Sequence, residues 1–157
     1  MRHIISALVE NKSGVLARIA GLFSARGFNI DSLAVGETED PTASRITIVV
    51  RADDRILEQV KKQLNKLIDV IRVRDLTKKG YIDRELLLFK IDVNKDNKAK
   101  VIHYLEKNHA KVLCSTVSLV TVELAGSQEH VLKALDGLKE YGVRDMVRTG
   151  RIALAKE

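Results

Sequence analysis

The chain has 157 residues, 45% hydrophobic and 31% charged, with one proline and no tryptophan, a balance that excludes a disordered protein. The formal net charge of +6 is dispersed, 12 basic against 10 acidic residues in 1–76 and 15 against 11 in 77–157, which argues against the concentrated basic stripe of a nucleic-acid binder. A single cysteine, Cys114, excludes an intrachain disulfide; no apolar run approaches the roughly 20 residues needed to cross a bilayer and the start lacks signal-peptide character, so a cytoplasmic chain is expected.

Residues 3–9 (HIISALV) are apolar on both alternating faces, as in a strand buried in the middle of a sheet. After a turn at Glu10–Gly14, the apolar residues Val15, Leu16, Ile19, Leu22 and Phe23 have the spacing of one helix face. Gly27 stands where a left-handed cap ends that helix. Residues 29–36 and 45–51 read as strands of a long-looped hairpin, the intervening ETEDPTAS carrying Pro41. Asp53 and Asp54 then cap a helix with the apolar face Ile56, Leu57, Val60, Leu64, Leu67 and Ile68, and 70–76 is a last strand.

The order βαββαβ defines a ferredoxin-like unit over 1–76. Charge, Gly80 and loss of periodicity mark 77–83 as an exposed linker. The pattern repeats over 84–157: strand 85–93, helix 96–108, strands 111–117 and 119–125, a helix 128–140 capped by Ser127, and a short strand near 144–154. The expected fold is therefore α+β, two ferredoxin-like βαββαβ domains in tandem, each of roughly 75 residues and only marginally stable alone. Cys114, in a run with Val112, Leu113 and Val117, reads as a core thiol.

The four histidines, His3, His103, His109 and His130, have no metal-pair spacing, and the usual nucleophile, phosphate-loop, dinucleotide and zinc signatures are missing, so neither a metal site nor intrinsic catalysis is expected. Asp31 is one acid without a placed partner and reads as a solvated strand residue.

The segment Glu10-Asn11-Lys12-Ser13-Gly14-Val15-Leu16, joining the first strand to the first helix, meets the demands of a free amino acid. Unpaired N–H groups at a helix start bind a carboxylate, with Gly14 leaving the approach open. The Asn11 side-chain oxygen and nearby carbonyls suit an ammonium group. Val15, Leu16, Leu33 or Val35 offer a small apolar pocket, whose discrimination between side chains differing by one methylene is only about 1–3 kcal/mol. On the residues alone, Asn11 and Ser13 serve equally well as helix caps, with Gly14 relieving a tight turn.

ENKSGVLARIAGLFSARGFNIDSLAVG, followed by DPTASRITIVV and LEQVKKQLNKLIDVIRV, closely resembles the acetohydroxyacid (acetolactate) synthase small-subunit family across the first half. RELLLFKIDV and MVRTGRIALAKE are similar in a more general way. The resemblance implies an ACT domain at 1–76, a homodimer joined edge to edge, and an effector (valine, isoleucine or leucine) held between Asn11–Leu16 (Asn11, Lys12, Ser13, Gly14, Val15, Leu16) of one chain and the second strand of the other, at Asn29 and Ile30. It implies a non-catalytic regulatory subunit that activates a catalytic large subunit and mediates feedback inhibition. Thiamine diphosphate, Mg and FAD belong to that large subunit; no cofactor is expected in this chain. Ala17 departs from relatives that carry a hydroxyl residue there, so a contact through that hydroxyl is absent.

Two rival functions fit the topology. A free-standing ACT-type sensor would use the same ligand chemistry for another enzyme or regulator. An RNA-binding module would place stacking aromatics on the central strands, yet 3–9 and 45–51 contain no Phe, Tyr or Trp, and Arg26-Gly27-Phe28 reads as a helix cap followed by a core Phe.

Overall fold

The computed structural model describes all 157 residues, which form two compact units, Met1–Ile82 with Arg151–Glu157, and Asp83–Gly150. The first contains β1 (Arg2–Glu10), α1 (Val15–Ser24), β2 (Ile30–Glu37), β3 (Ala43–Arg51), α2 (Asp54–Leu64) and β4 (Val70–Asp75). Its sheet is antiparallel in the order β2-β3-β1-β4, the ferredoxin-like arrangement expected.

Alternation along β1 and β3 sends Ile5, Ala7, Val9, Ile46, Ile48 and Val50 to one face of the sheet. They meet Val15, Ile19 and Phe23 of α1 and Leu57, Val60 and Leu64 of α2, residues three or four apart that share one helix face. Each fully buried Val, Leu, Ile or Phe here contributes about 1.5–3 kcal/mol of transfer free energy. Ile4 and Val49 of the opposite face are buried as well, with Leu76 and Ala153, which explains why 3–9 is apolar on both faces.

Backbone chemistry fixes the helix ends. Gly27, at φ +66°, terminates α1: Phe28 N–H donates to the Phe23 carbonyl and Gly27 N–H to that of Ser24, the paired bonds of a Schellman cap, while the Phe28 side chain packs on the core. At the start of α2 the Asp53 carboxylate accepts from Ile56 N–H at 2.8 Å. That helix ends at Leu64, so Ile68 lies outside it and is almost fully exposed rather than on its apolar face.

The second unit repeats the topology with β5 (Tyr81–Asp92), α3 (Lys98–Lys107), β6 (Lys111–Ser115), β7 (Leu119–Gly126), α4 (Gln128–Asp136), a 3₁₀ turn at Lys139–Tyr141 and β8 (Val143–Arg148), in the sheet order β6-β7-β5-β8. Leu87, Phe89 and Ile91 of β5 meet Val101 and Leu105 of α3 and Val131, Ala134 and Leu138 at or beside α4. Ser127 caps α4 through His130 N–H, as expected. Buried Glu85 is satisfied by a two-pronged bond from Arg148, at 2.8 and 2.7 Å.

Four expectations differ from the structure. Residues 77–83, expected as a short exposed linker, are exposed at 78–80 but structured at both ends: Thr77 Oγ1 accepts from Ile4 N–H, Thr77 N–H donates to Asp75, and β5 already begins at Tyr81. The strand expected near 144–154 is two strands, because Gly150 at φ +79° turns the chain; β9 (Ile152–Ala155) follows. Within the expected domain 84–157, the segment from Arg151 onward packs with the first compact unit: Arg151 N–H donates to Ser32 Oγ, Lys156 N–H donates to the Gly80 carbonyl, and Ala153 is buried with Ile4 and Val49. Finally, Cys114 is exposed, since β6 is an edge strand and a register shift between Val112 and Cys114 breaks the inward alternation. No helix is long and apolar enough to cross a membrane.

Two glycines of α1 give opposite expectations for the same substitution. A Cβ at Gly21, inside the helix, or at Gly27 meets nothing within 4 Å, so only the backbone decides. Gly21→Ala raises stability by about 0.5–1 kcal/mol and Gly27→Ala, with its positive φ, lowers it by about 1 kcal/mol, as read from urea denaturation.

Candidate effector site

β1 is paired on both edges, and its end is fixed by Glu10 N–H donating to the Asp69 carbonyl. The chain then turns through Asn11–Gly14, all exposed, into α1. Gly14 occupies the position before the helix at φ +83°, and no side chain caps the helix start. The cap reading of Asn11 and Ser13 is thereby overturned. The N–H groups of Ser13, Gly14, Leu16 and Ala17 have no backbone acceptor, whereas Val15 N–H donates to the Lys12 carbonyl at 3.4 Å. Four unpartnered donors at the positive end of a helix are a ready carboxylate site.

Asn11 is fixed rather than mobile. Its Nδ2 donates to Glu37 Oε1 and the Pro41 carbonyl, each at 3.0 Å, and its backbone N–H donates to the Thr42 carbonyl. Because both side-chain partners are acceptors, the amide nitrogen must face them, which leaves Oδ1 as the free acceptor suited to an ammonium group. Lys12 is occupied otherwise: its ammonium sits 2.5 Å from Glu10, whose hydrogen bond raises the Lys12 pKa, so its charge is already matched.

Arg18, one turn into α1, stands beside the candidate site and was missed by sequence reasoning. Its Nε and Nη2 both donate to Asp69 Oδ2, at 2.9 and 2.5 Å, while Nη1 lies 3.1 Å from where a Cβ on Gly14 would stand. The pair ties α1 to the turn before β4 and holds a cation beside the open N–H groups. The only sequence signal was an Arg four residues after Gly14; its partner lies 51 residues away.

The proposed apolar wall divides. Val15 is 3% exposed and belongs to the core under α1, so its side chain does not line the site. Leu16 and Val35 are 42% and 46% exposed, and Leu33 is half-buried against the core edge. Leu33 and Val35 lie opposite Ile48 and Ile46, on the helix-bearing face of the sheet.

Asn29 and Ile30 are not brought to the loop within this chain. Asn11 contacts Glu37 at one end of β2, and Ile30 begins the other end, seven residues or about 23 Å along an extended strand. There the register shifts between Ile30 and Ser32, and Asp31 in the bulge accepts from Arg2 Nε at 3.0 Å and Arg51 Nε at 2.9 Å, with Asn29 Nδ2 at 3.4 Å from its other oxygen. Asp31 is therefore a paired anchor rather than a free strand carboxylate, and the Arg51 bond, ahead of Arg2, lowers its pKa.

Comparison with known proteins decides the family. The description "AHAS small subunit-like ACT domain" matches residues 5–72 and "Small subunit of acetolactate synthase" matches 84–157. A probable acetolactate synthase small subunit of Methanothermobacter thermautotrophicus is 44% identical over 98% of this chain and 92% of its own length. The chain belongs to the acetolactate synthase small-subunit family. The isozyme 3 small subunit of Salmonella typhimurium is 40% identical over 99% of this chain and 96% of its own. The crystal structure of the small subunit from Thermotoga maritima superposes with a TM-score of 0.90 at 33% identity, covering 100% and 98% of the two chains. The two matched regions lie on either side of the turn at 77–80, and the candidate loop Asn11–Leu16 lies within the first.

The Asp31 anchor gives a pH test. A carboxylate whose folded pKa is lowered stabilises the fold above its unfolded pKa, near 4, and that contribution is lost as pH falls through the lower folded value. Asp31→Asn removes this component, so the variant is less stable than wild type at pH 6 and the two converge as pH falls through the lowered folded pKa of Asp31 in denaturant titrations.

Proposed function

We propose that this chain is the regulatory subunit of an acetolactate synthase: it activates a catalytic large subunit and, on binding a branched-chain amino acid, shifts that subunit to a less active state. The observation that carries the reading is the start of α1, where unpartnered N–H groups, a fixed Asn11 acceptor and exposed Leu16 and Val35 stand together. An α-carboxylate takes the N–H groups, an ammonium group takes Asn11 Oδ1 and nearby carbonyls, and a branched apolar side chain covers Leu16 and Val35. Family membership supports a catalytic partner, and the thiamine diphosphate, Mg and FAD chemistry belongs to that partner in the cytoplasm.

The site needs a second copy of the chain. β2 is an edge strand with one side of its backbone unpaired. Antiparallel pairing of two β2 strands about a twofold axis near Leu33 sets Ile30 of one chain beside the partner's Gly36. That pairing brings Asn29 and Ile30 to the loop they cannot reach within one chain. The effector then sits between loop and strand of different chains and biases both the dimer and the catalytic subunit, provided it binds their two states unequally.

Two measurements test this reading. Against a panel of all twenty amino acids, valine, isoleucine or leucine selectively raises the melting temperature of the purified chain, by the equivalent of about 2.7 kcal/mol at a hundredfold excess over Kd. In the reconstituted holoenzyme Asn11→Ala and Gly14→Asp weaken inhibition by valine about tenfold or more, the second by setting a carboxylate where the effector carboxylate must lie. Unchanged inhibition in both folded variants rules out the assigned site.

A further inference from the structure

The face of the first unit's sheet opposite the helices carries a basic cluster that the effector site does not use. On β1, Ser6 stands opposite Thr47 of β3 and Arg74 of β4, and the next residue on the same face, Leu8, stands opposite Arg45 and Arg72. Cross-strand partners share a face, so three guanidinium groups from two strands flank β1. Ser6, Leu8, Arg45, Arg72 and Arg74 line a depression of about 70 Å³. Ser6 is buried, 4% exposed, and its hydroxyl accepts from Arg45 Nη1 at 3.4 Å.

None of these three arginines forms an ion pair. Elsewhere in the chain Arg2, Arg18, Arg51, Arg144 and Arg148 are each matched to a carboxylate. Three like charges gathered on one patch repel each other, and no acidic side chain lines the depression; Glu10, the next residue on this face of β1, is paired with Lys12. The guanidinium fork matches the oxygens of a carboxylate or a phosphate in pairs, and the buried Ser6 hydroxyl adds a further donor. The depression is large enough for one such group.

We propose that Arg45, Arg72, Arg74 and Ser6 form an oxyanion-binding site on the sheet face opposite the helices, distinct from the candidate effector site at the start of α1. The oxyanion is a carboxylate or phosphate-type group, supplied either as a free anion or by an acidic side chain of the catalytic subunit; the second source rests on the regulatory-subunit reading. Arg72 and Arg74 are exposed on the edge strand β4, so their substitution leaves the apolar core untouched.

The full-length chain and an Arg72→Glu/Arg74→Glu double variant are compared in two ways. Inorganic phosphate is titrated at constant ionic strength while backbone amides are followed by NMR. A saturable shift confined to Ser6–Leu8, Arg45 and Arg72–Arg74, present in wild type and lost in the variant, establishes a free-anion site. In the second arm the chain is titrated into the catalytic subunit. An increase of about tenfold or more in the half-activating concentration, with the valine-induced melting shift retained, establishes an acidic group on that subunit as the occupant. An Arg72→Lys/Arg74→Lys variant, which keeps the charge and loses the fork, replaces the glutamates if these impair folding, and is expected to show intermediate losses. If neither phosphate shifts nor activation separate the folded variants from wild type, the proposal is overturned. If wild type itself activates no catalytic subunit, the regulatory reading fails while the phosphate titration still decides the oxyanion site.

Discussion

A left-handed backbone at Gly14 is the constraint on which the site depends. β1 is locked by pairing on both edges and α1 by its buried stripe of Val15, Ile19 and Phe23, so the connection between them must turn within four residues. The turn places the helix start beside the strand end without a capping side chain, and the N–H groups that a Ser or Asp cap would satisfy stay open. Asn11 is held on one side by Glu37 and Pro41, and Arg18 on the other by Asp69. Donors, acceptor and cation thus share one hydrogen-bonded scaffold, which would lower the ordering cost of binding the proposed effector.

The same sheet that positions the loop leaves the site half built. The ferredoxin-like order puts β1 and β3 in the centre and β2 at an edge, so the exposed Val35 and the half-buried Leu33 border an open backbone ladder. An unpaired edge invites association, and in the proposed dimer association would also complete the effector-binding surface. Binding and dimerisation are then linked by thermodynamic necessity: an effector that touches both chains must tighten the dimer.

The core was legible in the sequence because it rests on local periodicity. The apolar stripes of α1 and α2, the double-faced apolar run of β1, the Gly27 cap and the Asp53 and Ser127 caps are all set by residues within one or two turns of each other. The features not legible from local pattern depend on distant partners. Asp31 and Arg18 each stood as isolated charges in sequence, and their ion-pair partners lie 20 to 51 residues away. Cys114 looked like core because its neighbours are apolar, but an edge strand with a shifted register has no obligation to alternate inward. Arg151–Glu157 continued the second βαββαβ pattern by position, whereas burial of Ala153 with Ile4 and Val49 and bonds to Ser32 and Gly80 bind it to the first unit. Of the site, the loop was readable from residue chemistry; the burial of Val15 and the separation of Asn29 and Ile30 from that loop followed only from the fold.

The most direct test of the intermolecular effector site is sedimentation equilibrium of the purified chain across a concentration series, with and without saturating valine. An effector held between the loop of one chain and β2 of another lowers the dimer dissociation constant about tenfold or more, corresponding to a coupling of about 1.4 kcal/mol or greater. A dissociation constant that valine leaves unchanged, together with valine binding to the monomer, contradicts the shared site.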